Sequence, residues 1–198
     1  MFTAGVPCGM RISTTICTTL FAGVLALPIV GLSQRTTPAP AASPVGTDRI
    51  VAAARALLRT LDEGGRGKLQ FPFEGPQKAR WSNLPSGIFQ RQGLRMGDLS
   101  PAQRAAVWSL LTAALSAEGY QKVMEIIRGD EVLRTGSAGG ARGGRGGGPT
   151  FGEDEYYLAF VGTPSTTAPW MLQFGGHHLA INLTLAGSQA SMTPSLPA

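Results

Sequence analysis

Two side chains able to bind a metal or move a proton near neutral pH stand next to each other in this chain. They are His177 and His178, the only histidines present. They follow a glycine pair in the stretch Trp170-Met171-Leu172-Gln173-Phe174-Gly175-Gly176-His177-His178-Leu179-Ala180-Ile181-Asn182. Neutral imidazole binds divalent metals well and titrates near pH 6.5, so either residue suits a metal ligand or a general base. Trp170 and Asn182 are the candidate walls of a pocket beside them. The nearest acidic group in sequence is Glu153-Asp154-Glu155, which better suits a solvated loop end than a ligand set. The rival reading of the pair is structural, with each imidazole hydrogen-bonded in a polar network of a non-catalytic binding module.

The local pattern around the pair is that of a strand. Successive side chains of a strand point to opposite faces. A strand over 178–185 would therefore set His177 with Leu179, Ile181 and Leu183, and His178 with Ala180, Asn182 and Thr184. Such a strand keeps the imidazoles from chelating one ion unless the preceding glycines distort it. Serine chemistry has little support, because neither Ser86 nor Ser165 lies in a Gly-x-Ser-x-Gly elbow. Asn182-Leu183-Thr184 is a glycosylation sequon placed mid-strand.

The elements that must hold this stretch are legible. Residues 1–33 read as an export signal: Arg11 is the only charge before Arg35, an apolar run extends from Leu20 to Val30, and Gly31 and Ser33 precede Gln34 with small-x-small spacing. That run is shorter than the ~20 residues a bilayer span needs, so no stable span is expected after cleavage. Both cysteines, Cys8 and Cys17, lie within the signal at 1–33, which leaves a mature chain without thiol ligands, thiol nucleophile or disulfides. Residues 34–47 have the Pro/Ala/Thr/Ser composition of a disordered linker.

A single domain is expected over 48–198. Thr47 or Asp48 can cap a helix to about Glu63, stopped by Gly64 and Gly65. Leu69, Phe71 and Phe73 alternate as in a short strand, and Trp81 reads as a buried residue entering a turn. Ser100-Pro101-Ala102-Gln103 is a capping box opening a helix over Val107, Leu110, Leu111 and Leu115. Gly119 is placed to end it, and Tyr120, Val123, Met124 and Ile127 mark the next helix. Residues 136–149 form a Gly-rich segment expected to be a mobile loop. Its Arg142 and Arg145 carry no aromatic partner, and no nucleic-acid partner is expected. The net charge of +5 comes from scattered residues and favours acidic surfaces only modestly.

After the loop the period changes to alternation. Tyr156-Leu158-Phe160, Trp170–Phe174, His178–Leu185 and Gln189–Met192 predict four strands with tight turns, an antiparallel meander. Helices first and strands afterwards make the class α+β, a helical N-terminal part packed on the meander.

The series Trp81-Ser82-Asn83-Leu84-Pro85, Gln103-Arg104, Leu115-Ser116, Gly119-Tyr120, Phe160-Val161-Gly162-Thr163-Pro164-Ser165, Pro169-Trp170 and Gly176-His177-His178-Leu179 resembles the domain-of-unknown-function 3500 family. The resemblance covers about Ile50 to Pro194. Its members are mostly bacterial, often carry export signals, and are usually longer, so it implies a domain that is partial at its C-terminal side. It implies no particular activity, but it marks the His-His segment as a recurring feature.

Overall fold

The computed structural model describes residues 44–138 and 149–193. The expected export signal, most of the linker and most of the Gly-rich segment lie outside the described residues. Four helices accompany a mixed, mostly antiparallel sheet, two of whose strands are short and fall between the second and third helices while the other four follow the last helix. The class is α+β.

Helix α1 (Pro44–Arg59) starts before Thr47 and takes in the last residues of the linker composition. It buries Ile50, Val51, Ala54 and Leu57 on one face. Gly64 and Gly65 do not simply stop it. They lie inside a second short helix, α2 (Glu63–Leu69), because Asp62 caps it: its Oδ1 accepts the Gly65 N–H at 2.7 Å. Helix α3 (Pro101–Ala114) opens with the anticipated box. Ser100 Oγ accepts the Gln103 N–H at 3.3 Å, and Gln103 Oε1 accepts the Ser100 N–H at 2.9 Å. Gly119 does not end this helix. It falls in the first turn of α4 (Ala117–Ala138), where Ser116 Oγ accepts its N–H at 3.1 Å. A serine preceding the helix supplies the cap, so no left-handed glycine is needed.

The sheet contains β1 (Gln70–Phe71), β2 (Leu94–Arg95), β3 (Tyr157–Val161), β4 (Trp170–Gly175), β5 (Ala180–Ala186) and β6 (Gln189–Thr193). Strands β3 to β6 form the expected antiparallel meander. Two short strands share the free side of β3, β1 in parallel at Phe160 and Val161, β2 antiparallel at Tyr157 and Leu158. The sheet as a whole is therefore mixed, with the meander as its antiparallel part. A two-residue strand carries no readable period, which is why β2 has no sequence signature.

The meander's alternation fixes its two faces. Leu158, Phe160, Leu172, Phe174, Ile181 and Leu183 pack with Leu57, Val107, Leu110, Leu111, Val123 and Ile127 in one apolar core. The opposite face presents Ala159, Gln173 and Asn182 in register. Among the described residues no helix is long and apolar enough to cross a membrane.

Candidate functional site

The histidine pair lies in the turn between β4 and β5, not on a strand. Gly175 pairs with Ala180, and the Gly176 N–H reaches the Leu179 carbonyl at 3.0 Å. His177 and His178 are therefore the two central residues of a four-residue turn, and β5 begins two residues after His178. Strand alternation does not apply inside a turn. Both rings fall on one side, with centroids 3.6 Å apart, where a strand would have separated them.

The glycines make this turn sterically possible. A Cβ on Gly175 would stand 2.2 Å from the Leu179 carbonyl oxygen, and one on Gly176 would stand 3.0 Å from the Tyr156 ring. The turn thus sits flat on a buried aromatic.

Both imidazoles turn toward a residue from a distant part of the chain. Asp130, on α4, is 1% exposed. Its Oδ1 is 2.5 Å from His178 Nδ1, its Oδ2 accepts the Tyr156 hydroxyl at 2.7 Å, and Oδ2 lies 3.5 Å from His177 Nδ1. Asp130, His177 and His178 each offer one ligand atom, and these atoms lie within 4.8 Å of one another. Phe151 closes over His177, with ring centroids 5.0 Å apart.

The electrostatics follow from burial. His177 is 8% exposed, and that burial pushes its pKa below the ordinary value. The Asp130 carboxylate opposes the shift, while His178 and Arg91 add to it. Burial thus favours the neutral ring, the form that binds a metal. Burial likewise raises the Tyr156 phenol above its usual range, reinforced by its bond to Asp130. Tyr156 therefore stays a hydrogen-bond donor. His178 is more accessible, its side chain 38% exposed. With Nδ1 on Asp130, its Nε2 is the free nitrogen.

Neither wall residue expected from sequence belongs to this cluster. Trp170 starts β4, five residues before Gly175, which at ~3.3 Å per residue places it roughly 17 Å along the strand. It is fully buried, edge-on to Phe160 at 5.4 Å, and is core rather than pocket wall. Asn182 sits on the opposite face of the sheet, where its Oδ1 accepts from Gln173 Nε2 at 3.1 Å. The acidic run is engaged elsewhere. Glu153 and Asp154 pair with Arg104, and Glu155 with Arg95. These bridges tie the turn before β3 to α3 and β2, so the run is structural.

Asp130 and Tyr156 are what the sequence reading missed. The signal for Asp130 was present: it continues the buried stripe Val123, Ile127 at the next helical step. A carboxylate on an apolar face needs a partner, and the partner here is the His turn with Tyr156. Tyr156 was legible as a core-facing residue, but its hydroxyl's acceptor was not.

The family-model match decides the relationship. The model described as "Protein of unknown function (DUF3500)" matches residues 43–197. The chain belongs to the DUF3500 family. The match takes in α4, the His turn and the meander, so the whole Asp130 cluster lies within the family domain. No curated protein and no solved structure matches this DUF3500 chain.

Proposed function

We propose that this DUF3500 protein is exported and binds a divalent transition metal through Asp130, His177 and His178. The carrying observation is the convergence of two imidazole nitrogens and one buried carboxylate oxygen within 4.8 Å. Two imidazoles and a carboxylate suit zinc, iron(II) or manganese, and leave coordination positions open for water or substrate. Ligand atoms at ~2.1 Å from one ion stand roughly 3.0–3.4 Å apart, so His178 Nδ1 must part from Asp130 Oδ1 by about half an ångström or more as the ion enters. His178, the more exposed of the two histidines, is the side chain placed to make that movement. Tyr156 supports the ligating carboxylate from behind, the kind of outer contact that orients a metal ligand.

The 2.5 Å contact between His178 Nδ1 and Asp130 Oδ1 favours a second reading, an acid–base pair. Asp130 then fixes the tautomer, and His178 Nε2 takes or gives the proton. Calorimetric titration of chelator-stripped protein with zinc, manganese and, anaerobically, iron(II) separates the two. One ion per chain, lost in Asp130→Ala and in the His177→Ala/His178→Ala double variant, supports the metal centre. No uptake, or uptake that survives these substitutions, refutes it. Export is tested by N-terminal sequencing of extracytoplasmic material, with cleavage between Ser33 and Gln34 as the expected result.

A further inference from the structure

On the sheet face turned away from the helices lies a recess of about 40 Å³ that the histidine cluster does not use. Gln173 and Asn182 form its floor, with Gln77, Arg80, Trp81 and Arg91 around it. Its amides are linked in a ladder: Gln77 Nε2 donates to Gln173 Oε1 at 3.1 Å, and Gln173 Nε2 donates to Asn182 Oδ1 at 3.1 Å. Gln77 is only 6% exposed, yet its Oε1 has no hydrogen-bond partner. A buried acceptor left unmade is costly, so the ladder holds hydrogen-bonding capacity that the protein itself does not fill.

Two further features define what would fit. Trp81, which its sequence context suggested was buried, is 39% exposed at the rim. No carboxylate lines the recess. Arg91 is 9% exposed and bonds two carbonyls, Ser82 O at 2.7 Å and Leu84 O at 2.8 Å. Among the described residues neither Arg91 nor Arg80 has a carboxylate ion pair. A buried cation without a direct ion pair favours an anionic ligand.

We propose that this recess binds an acidic saccharide, a pyranose carrying a carboxylate, with Trp81 as the stacking platform. The volume admits a carboxylate or hydroxyl substituent rather than a whole ring. The ring then lies outside against the indole, whose flat apolar surface matches the C–H face of a pyranose. One hydroxyl enters the recess and accepts from the Asn182 amide at its floor, while Arg80 with Arg91 faces the carboxylate. A neutral sugar would leave the guanidiniums unanswered. A simple organic acid would leave Trp81 and the amide ladder unused.

The probe is trigalacturonate, with its methyl ester as the uncharged control. Binding to the chelator-stripped full chain is read by tryptophan fluorescence and calorimetry. The acid is expected to bind saturably and at least roughly tenfold more tightly than the ester. Trp81→Ala, a change at an exposed position, should weaken binding about tenfold with unchanged circular dichroism. Arg80→Gln should narrow the gap between acid and ester. The His177→Ala/His178→Ala variant should bind as the parent does, so this result stands apart from the metal centre. No saturable binding to ~10 mM, equal affinity for acid and ester, or a Trp81→Ala variant that binds like the parent would overturn the proposal.

Discussion

Removing one oxygen from Tyr156 tests whether Asp130 is held as described. In Tyr156→Phe the ring keeps its place, stacked on Phe174 at 5.6 Å, and only the hydroxyl is lost. That hydroxyl is the donor to Asp130 Oδ2 at 2.7 Å, between a residue that is fully buried and one that is 1% exposed. Water has little access to replace it. A hydrogen bond to a charged group contributes roughly 1.5–3 kcal/mol, and an oxygen left without its donor keeps its desolvation cost. The expected loss is therefore about 2 kcal/mol. For a domain of this size that lowers the melting temperature by roughly 4–8 °C. Metal affinity should fall by about 10- to 100-fold, as for other outer contacts to a ligand. Calorimetric melting of the chelated protein reads the first effect, and metal titration reads the second. A double-mutant cycle with Asp130→Ala makes the assignment specific, because the cost of losing the hydroxyl should largely vanish once the carboxylate is gone. A melting temperature within about 1 °C of the parent, or an unchanged cost in the Asp130→Ala background, would refute the reasoning.

Further outcomes follow from the same geometry. Gly175→Ala, whose Cβ would meet the Leu179 carbonyl oxygen at 2.2 Å, should displace the turn, cost about 2 kcal/mol or more, and abolish metal uptake; a parent-like urea midpoint would contradict this. The pH dependence has a definite sign. The His177 pKa lies below its unfolded value, so the unfolded chain protonates first. Chelated protein should be most stable above about pH 6.5, losing stability as the pH falls from there toward the native pKa. Urea midpoints between pH 7.5 and about 5.5 should slope less in His177→Gln, and an identical slope would rule the assignment out. Arg104→Ala breaks two partly exposed ion pairs and should cost about 1 kcal/mol or less while leaving metal affinity unchanged. A lost metal site there would place the acidic turn in the coordination sphere after all. Ser100→Ala removes the cap of α3 and should cost about 1 kcal/mol by thermal melting.

How much of the site was readable depended on the distance over which each signal acts. His177 and His178 stood out as the only imidazoles, and Gly175-Gly176 before them hinted at distortion. Alternation still assigned His178 to a strand, because the pattern Leu179, Ile181, Leu183 continues through it. A four-residue turn is set by one hydrogen bond and the absence of two β-carbons, and neither leaves a periodic trace. The sequence context of Trp81, a large apolar side chain entering a turn, suggests burial. Its exposure depends instead on how the segment after β1 lies against the back of the sheet.

Local chemistry in the sequence determined the class, the capping box at Ser100, the helical stripe ending at Ile127 and the four-strand meander. Each is a pattern that repeats within a few residues, so nearest-neighbour geometry is enough to specify it. Only the tertiary structure decided that Asp130, Tyr156 and the His turn share one buried point, or that two short strands flank β3. Asp130 and His178 are 48 residues apart in sequence. Their meeting follows from how α4 packs on the sheet, where burying one apolar stripe carries a carboxylate inward to the donors that satisfy it.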